Sequence, residues 1–197
     1  MYEPFTIGSR LRVVPPGLTR AADGRIDLVI ARGAFGSGEH ETTASCLERL
    51  EQLDELRGAR VLDLGSGTAI LAVAALKLGA RRAVCVDPDP RAASAGRLSC
   101  ELNGVAHLVE HVPGTLSDVA EDGFDLALAN LYGDLLLGCG ADLLGRVRPG
   151  GLLLLSGMLW EQAYDVRCRF AELGAWVEHE RWLEEFVTMQ LRRPEVG

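Results

Sequence analysis

The chain has 197 residues and a formal net charge of −8; 48% of its residues are hydrophobic and 24% are charged. These proportions exclude a disordered or fibrous chain, and the length corresponds to one domain with a short appendage. The negative charge argues against binding to naked DNA or RNA, because such binding depends on Lys and Arg side chains that neutralise phosphates.

The N-terminal region has a pattern of its own. Residues 5–14 and 25–30 look like two strands around a turn at Pro15-Pro16-Gly17. The region is too short to form a separate domain. We therefore interpret residues 1–33 as N-terminal strands with a linker, and residues 34–197 as the main domain.

A glycine-rich bend at residues 33–38 follows and leads into a predicted helix at 41–56. In this helix Leu47, Leu50 and Leu53 repeat at helical spacing. Glycines allow the backbone to change direction at low steric cost, so we expect the bend and the helix to form a lid over a ligand site.

From residue 60 onward, apolar runs of strand length alternate with amphipathic stretches, which is typical of βαβ units. The predicted strands are 61–64, 83–86, 108–112, 124–130 and 152–156, the predicted helices are 69–78, 90–103, 135–147 and 161–173, and the last two strands are 176–182 and 186–192. This order predicts an α/β fold with a Rossmann-like, doubly wound sheet of seven strands. The sheet should be mostly parallel, with an antiparallel C-terminal strand pair.

The cysteine pattern and the absence of targeting signals bear on location. Five cysteines are scattered and show no C-x-x-C spacing, which predicts reduced and mostly buried thiols. The sequence has no export signal, and no apolar run reaches the ~18 residues of a membrane span. We expect a cytoplasmic protein without membrane attachment.

The strongest local signal is the segment Asp63-Leu64-Gly65-Ser66-Gly67-Thr68-Ala69, in which a buried strand passes through a tight turn into a helix. Glycines are required where the backbone turns sharply and approaches a ligand. The dinucleotide pattern G-x-G-x-x-G fails because Ile70 occupies its third position. The acidic residue, the two glycines and the small Ala69 instead resemble the first motif of the class I methyltransferases, although a glycine turn in another α/β protein is the structural alternative.

Asp87 closes the second predicted strand, about 20 residues after the glycine turn, where nucleotide-binding α/β folds place a carboxylate that binds ribose hydroxyls. The alternative is a turn-forming aspartate ahead of Pro88. Asn130 closes the fourth predicted strand, and its alternative role is that of a helix N-cap. Because the carboxyl ends of parallel strands face the ligand crevice, both residues are candidate site residues.

The segment Phe35-Gly36-Ser37-Gly38-Glu39-His40-Glu41-Thr42-Thr43 makes a resemblance specific. Together with LDLGSG, VDPDP, ANLYG and LSGML further along, it is similar to the bacterial lysine methyltransferases that modify large-subunit ribosomal protein eleven. The likeness extends from about Ala34 to the C-terminus. A plain helix start is the alternative reading of the two threonines.

This resemblance implies S-adenosylmethionine as cofactor and methyl transfer to a protein amino group, on a lysine or an N-terminus, as reaction. It also implies cofactor contacts at the glycine turn and the polar strand ends, so the predicted cofactor-binding residues are Thr43, Asp63, Gly65, Ser66, Gly67, Asp87 and Asn130. His40, Asn130 and Tyr132 are the polar groups that we place near the acceptor amine. The alternatives are a capping or packing histidine and a half-buried tyrosine.

The family also carries a separate N-terminal substrate-recognition domain, and this chain begins only 33 residues before the shared segment, so we expect that domain to be lacking. A protein substrate such as a ribosomal protein is favoured. A small-molecule methyltransferase and a non-catalytic cofactor-binding module are the alternatives.

A metal site is not expected. His107-Leu108-Val109-Glu110-His111 formally fits the H-x-x-E-H zinc pattern. Zinc chemistry of that kind requires both histidines on one face of a helix, whereas this stretch has the pattern of a strand. The sequence also lacks the G-x-S-x-G elbow of many hydrolases.

Overall fold

The computed structural model of the protein describes residues 2–18, 23–31 and 38–195. Within these residues the strands are β1 Phe5–Ile7, β2 Leu11–Val14, β3 Ile26–Val29, β4 Arg60–Leu64, β5 Arg82–Asp87, β6 Val109–Pro113, β7 Phe124–Asn130, β8 Val147–Leu159, β9 Trp176–Trp182 and β10 Phe186–Arg192. The α-helices are α1 Glu41–Leu50, α2 Ile70–Lys77, α3 Pro90–Leu102, α4 Gly133–Arg146 and α5 Trp160–Glu172. Short 3-10 helices span Asp54–Leu56, Ala106–Leu108 and Leu116–Asp118.

The main sheet has seven strands in the order β6-β5-β4-β7-β8-β10-β9. Strands β4 to β8 pair in parallel, whereas β10 is antiparallel to both β8 and β9. The predicted fold class and the antiparallel C-terminal pair are therefore confirmed. The sheet order reverses direction at β4, which lies between β5 and β7, and this is the point where open α/β sheets form a ligand crevice.

The N-terminal strands differ from the prediction. Residues 5–14 form two strands rather than one, because Gly8 takes a positive φ of 59° and the chain reverses there. β2 and β3 run parallel, with Leu11 opposite Ile26, so the proline turn does not form a hairpin. A parallel pair needs a crossover, and short apolar strands carry no pattern that reveals strand direction.

Two elements differ in length from the prediction. α1 ends at Leu50 rather than near residue 56, because Leu53 adopts an extended backbone before the 3-10 helix. The apolar repeat predicted a longer helix because Leu53 and Leu56 are buried, as they would be in a helix, although they lie in the turn and the 3-10 helix that follow α1. β8 begins at Val147, five residues earlier than predicted, since Val147 already pairs with Phe124 ahead of an irregularity in the register.

The core fills both faces of the main sheet. One face packs against α1, α2 and α3 and continues into the N-terminal strands through Ile7, Leu11 and Leu28. The other packs against α4 and α5 around Phe124 and Phe170. α1 buries Cys46, Leu47 and Leu50, so it forms part of the core and a wall of the crevice. The remainder of the predicted lid, residues 33–37, and the division at residue 34 lie outside the described residues.

The part of the chain that the structure describes contains no helix long and apolar enough to cross a membrane. Its five cysteines are free thiols, and three of them are buried.

Candidate functional site

The glycine turn lies at the carboxyl end of β4 and is closed by backbone hydrogen bonds. The N–H groups of Gly65 and Ser66 both donate to the carbonyl oxygen of Val86, at 2.8 and 3.1 Å. Gly65 and Gly67 have φ values of +70° and +52°, and Ala69 follows at +59°, the one non-glycine residue with positive φ in the described chain. The turn therefore requires the left-handed conformations for which glycine is suited, and it delivers the start of α2 to the crevice.

Asp87 is tied to this turn. One carboxylate oxygen accepts the N–H of Gly67 and the other accepts the N–H of Asp89, both at 2.9 Å. The second bond is the local turn bond that the structural alternative predicted, but the first spans 20 residues and joins β5 to the glycine turn. Each carboxylate oxygen has a further lone pair. Asp87 can therefore stabilise the turn and accept bonds from a ligand at the same time.

Asp63 lies beneath the turn and is 2% exposed. Its Oδ2 atom accepts the N–H of Ala72 at 3.1 Å. Burial raises the pKa of Asp63 to about 7, the hydrogen bond from Ala72 opposes this shift, and the negative charge of Asp87 adds to it. A carboxyl group that titrates near neutrality thus lies at the base of the crevice.

Asn130 and Thr43 meet across the crevice. The side-chain amide of Asn130, at the end of β7, donates to Thr43 Oγ1 at 3.3 Å. The N-cap of α4 is Tyr132, so the helix-cap alternative for Asn130 is wrong. Gly157 keeps this arrangement open, because a Cβ atom there would lie 2.7 Å from the Leu131 carbonyl oxygen and 2.9 Å from Asn130 Oδ1.

His40 performs the capping role that was its structural alternative. It is the N-cap of α1, and its Nδ1 atom accepts the N–H of Thr42 at 3.4 Å and lies 2.8 Å from Thr42 Oγ1. Its ring packs edge-on against Phe186, with centroids 5.1 Å apart. The cap and the aromatic contact together fix the histidine at the crevice. Tyr132, in contrast, is 67% exposed and lies at the rim.

These elements enclose a cleft of about 590 Å³, a size typical of small-molecule sites. All nine residues proposed from the sequence line it: His40, Thr43, Asp63, Gly65, Ser66, Gly67, Asp87, Asn130 and Tyr132. The cleft is also lined by Phe186, Leu135 and Asp89, which were not predicted from the sequence. Phe186 had no local signal, because only the sheet topology brings β10 beside α1.

The cleft is acidic. Its charged lining residues are Asp63, Asp87, Asp89 and Arg91. The Arg91 guanidinium pairs with Asp89 at 2.9 Å, so the charges of these two residues offset each other. Asp63 and Asp87 therefore make the electrostatic potential of the cleft negative. Such a site favours a ligand that carries positive charge.

The H-x-x-E-H stretch is divided between two elements. His107 lies in a 3-10 helix, whereas Glu110 and His111 lie in β6 on opposite faces of the strand. Within the described residues, no group of three or more His, Cys, Asp or Glu side chains could hold a metal ion.

Comparisons with known proteins identify a family and a fold. The family model for ribosomal protein L11 methyltransferase (PrmA) matches residues 1–194. Ribosomal protein L11 methyltransferases of Pseudomonas aeruginosa (strain LESB58) and Pseudomonas putida (strain F1, ATCC 700007) are each 41% identical to the chain, over 188 and 192 residues. Both matches cover 92% of this chain and 63% of the relative, so the chain spans about 63% of the length of these curated relatives.

Among solved structures, a ribosomal protein L11 methylase from Lactobacillus delbrueckii subsp. bulgaricus superposes with a TM-score of 0.88 at 23% identity, covering 98% of this chain and 99% of that one. An RNA methyltransferase from Salinibacter ruber in complex with S-adenosyl-L-homocysteine superposes with a TM-score of 0.62 at 19% identity, covering 78% of this chain and 93% of that one. Both likenesses show the fold.

Proposed function

Since this chain belongs to the ribosomal protein L11 methyltransferase family, we propose that it transfers methyl groups from S-adenosylmethionine to amino groups of ribosomal protein L11. The observation that carries the proposal is the link between Asp87 and Gly67, which sets a carboxylate beside a glycine turn in an acidic cleft. Each further step rests on the residues of that cleft.

The cleft fits S-adenosylmethionine by shape and by charge. The remaining lone pairs of Asp87 suit the two hydroxyls of a ribose, which would replace water as donors. A side chain at Gly65 would place Cβ 2.4 Å from Leu131 Cδ2, so the bare glycine keeps the turn close to the end of β7. Asp63 and Asp87 favour a ligand with net positive charge, as a sulfonium and an ammonium group provide. When bound, S-adenosylmethionine supplies an activated methyl group.

Asn130 is the residue that we assign to the acceptor amine. Its amide nitrogen donates one of its two N–H groups to Thr43 Oγ1, and its carbonyl oxygen Oδ1 is the acceptor that we assign to an amine N–H. Such a bond orients the nitrogen lone pair for in-line attack on a methyl carbon. Thr43 acts through Asn130 and is a positioning residue in this scheme.

The acceptor amine must be neutral to attack. A lysine amine has a reference pKa near ~10.4, so it must lose a proton on entry. The cleft carboxylates raise its pKa, whereas desolvation lowers it, as would the like charge of a bound sulfonium. His40 holds the start of α1 as a cap, and Tyr132 lies exposed at the mouth. We assign them to shaping the acceptor entrance, with Asn130 as the group that contacts the amine. The reaction takes place in the cytoplasm, where ribosomal proteins are available.

A single incubation tests the proposal. The purified chain is mixed with methyl-labelled S-adenosylmethionine and ribosomal protein L11 from Pseudomonas aeruginosa, and intact-mass and peptide mass spectrometry locate the label. Calorimetry measures cofactor binding in parallel, and Asp87→Ala is the negative control.

Label on L11 amines supports the proposal. Cofactor binding without transfer to L11 overturns the proposed acceptor and favours the small-molecule alternative, which labelling of a small-metabolite pool would reveal. Failure to bind the cofactor overturns the proposed enzyme activity altogether.

A further inference from the structure

Exposed apolar side chains cluster around the starts of α4 and α5, and clustered apolar exposure of this kind marks interaction sites. We name this surface the aromatic rim; it consists of Tyr132, Leu135, Leu159, Trp160 and Tyr164. Their exposed fractions are 67%, 54%, 39%, 46% and 69%. Trp160 and Tyr164 are four residues apart on α5 and share a face, as do Tyr132 and Leu135, three residues apart, at the start of α4.

Gln162 joins the two helix starts into one surface. Its side-chain nitrogen donates to Asp134 Oδ1 at 3.0 Å, and its oxygen accepts the N–H of Leu159. It also packs over Gly133, where a Cβ atom would lie 2.6 Å from the Gln162 side chain. The first turns of α4 and α5 are therefore in contact.

The aromatic rim is continuous with the cleft. Tyr132 and Leu135 line the cleft and are exposed at its mouth. On the other side, Leu159 pairs with Phe186, which is also a lining residue. A chain lying on the rim could therefore extend a side chain into the cleft without crossing a polar barrier.

The charge of this surface is mainly negative. Residues 130–137 and 157–166 contain Asp134, Glu161 and Asp165 and no Lys or Arg. Arg167 follows Tyr164 by one turn of α5, and its charge is offset by an ion pair with Glu180 at 2.5 Å. Carboxylates interspersed with exposed Tyr and Trp rings attract cations, by ion pairing and by cation–π contact. The same charge disfavours RNA, whose phosphates need Lys and Arg, and it disfavours a second copy of this acidic chain.

We propose that the aromatic rim is the docking surface for a basic, lysine-bearing segment of the protein substrate, which lies across α4 and α5 while its acceptor amine enters the cleft. The inference rests on the proposed function and assigns substrate binding to this surface. Aromatic residues dominate the energetics of such contacts, so Trp160 and Tyr164 are expected to contribute most.

Tryptophan resonances give a readout that does not depend on activity. The chain has three tryptophans, Trp160, Trp176 and Trp182, so a ¹⁵N-labelled sample should give three indole N–H signals, which single Trp→Phe variants assign. Titration with unlabelled ribosomal protein L11 from Pseudomonas aeruginosa should shift or broaden the Trp160 signal. The Trp176 signal should stay in place, because Trp176 pairs with Arg192, which lies opposite Leu152 at the far end of the sheet.

Kinetics provide the second arm, with a matched control. The double variant Trp160→Ala/Tyr164→Ala should raise the KM for L11 at least about fivefold, with kcat and cofactor affinity within about twofold of the parent. Trp176→Ala is the control, since its side chain is 45% exposed against 46% for Trp160. Glu161→Gln/Asp165→Asn should raise KM and weaken its dependence on salt.

The outcomes separate the two proposals. Two results would overturn the docking role of the aromatic rim while the parent chain still transfers methyl groups: an unmoved Trp160 signal, or equal KM values for the double variant and the Trp176→Ala control. The proposed function would then still hold. Absence of transfer to L11 by the parent overturns the proposed function itself. A shift of the Trp160 signal on adding RNA and none on adding L11 overturns the assignment to a protein substrate.

Discussion

The carboxylate of Asp87 accepts the backbone N–H of Gly67 at 2.9 Å, although the two residues are 20 positions apart and lie on successive βα units. The hydrogen bond fixes the position of the glycine turn relative to the end of β5. It also means that Asp87 has two roles, because the residue that would bind a ribose holds the turn against which the ribose would lie. Substitution should therefore affect stability as well as binding.

Asp87→Ala should weaken S-adenosylmethionine binding at least about tenfold, because charge-assisted hydrogen bonds contribute ~1.5–3 kcal/mol each. It should also lower the melting temperature, because the N–H groups of Gly67 and Asp89 lose their acceptor. A loss of ~1 kcal/mol shifts Tm by roughly 2–4 °C in a chain of this size. Calorimetry and thermal unfolding measure the two effects separately.

Asp118→Ala is the matched control for this experiment. Asp118 accepts the backbone N–H of Thr115 at 2.8 Å, in a capping box whose residues are absent from the cleft lining. It should lower Tm with unchanged cofactor affinity. If both variants lost stability and neither lost affinity, Asp87 would be a turn residue alone.

Thr43→Val and Asn130→Ala should be coupled. Each change removes one partner of the 3.3 Å hydrogen bond. The loss of transition-state stabilisation in the double variant should therefore be smaller than the sum of the losses in the two single variants, by about 1 kcal/mol. The measured quantity is kcat/KM for all four proteins. Additive effects would show that Thr43 does not act through Asn130.

Ser45→Ala serves as the control on the same helix. Ser45 is 2% exposed, and within the described residues its hydroxyl has no hydrogen-bond partner. Removing this buried, unpaired hydroxyl should leave activity unchanged and stability equal or slightly higher.

Gly157→Ala should disable the site beyond the effect of backbone strain. The residue has φ +83°, and the added Cβ would meet the Leu131 carbonyl oxygen at 2.7 Å and Asn130 Oδ1 at 2.9 Å. Gly104→Ala is the matched control, since its φ is +72° and nothing lies within 4 Å of an added Cβ. Gly104→Ala should lose the ~1–2 kcal/mol of a left-handed alanine, and Gly157→Ala should lose more because its added Cβ also meets backbone atoms; denaturant unfolding measures both.

Only Gly157→Ala should also displace Asn130 and lower turnover. Equal activity of the two variants at saturating substrate would show that the position of Asn130 does not matter to the reaction.

The sequence predicted those strands and site residues whose positions follow from a local pattern. Parallel strands buried on both faces appear as apolar runs in the sequence. The sequence therefore predicts β4, β5 and β7 and the polar residues at their carboxyl ends. Phe186 could not be predicted, because its place beside His40 depends on β10 inserting between β8 and β9. The parallel pairing of β2 with β3 was missed for a related reason, since strand direction is set by the crossover rather than by the residues of the strands.

Asp63 should make stability depend on pH. Burial raises its pKa from 3.8 to about 7. The folded protein then binds this proton more tightly than the unfolded chain, so the stabilisation is fully present below pH ~4 and is lost as pH rises through 7. Asp63→Asn keeps an acceptor for the Ala72 N–H and should flatten the fall in the free energy of unfolding across this range. An unchanged slope would mean that Asp63 is already ionised in the folded protein at pH 4.

The same carboxyl group should couple cofactor binding to proton release. Asp63 lines the cleft and is partly protonated near pH 7, so a ligand with net positive charge beside it favours the carboxylate and lowers its pKa. S-Adenosylmethionine, which carries a sulfonium charge, should therefore release a fraction of a proton on binding at pH 7. S-Adenosylhomocysteine lacks that charge and should release less. Calorimetry in buffers of different ionisation enthalpy measures the number, and Asp63→Asn should abolish the difference between the two ligands. Equal release by both ligands in the parent protein would show that the charge of Asp63 does not sense the sulfonium.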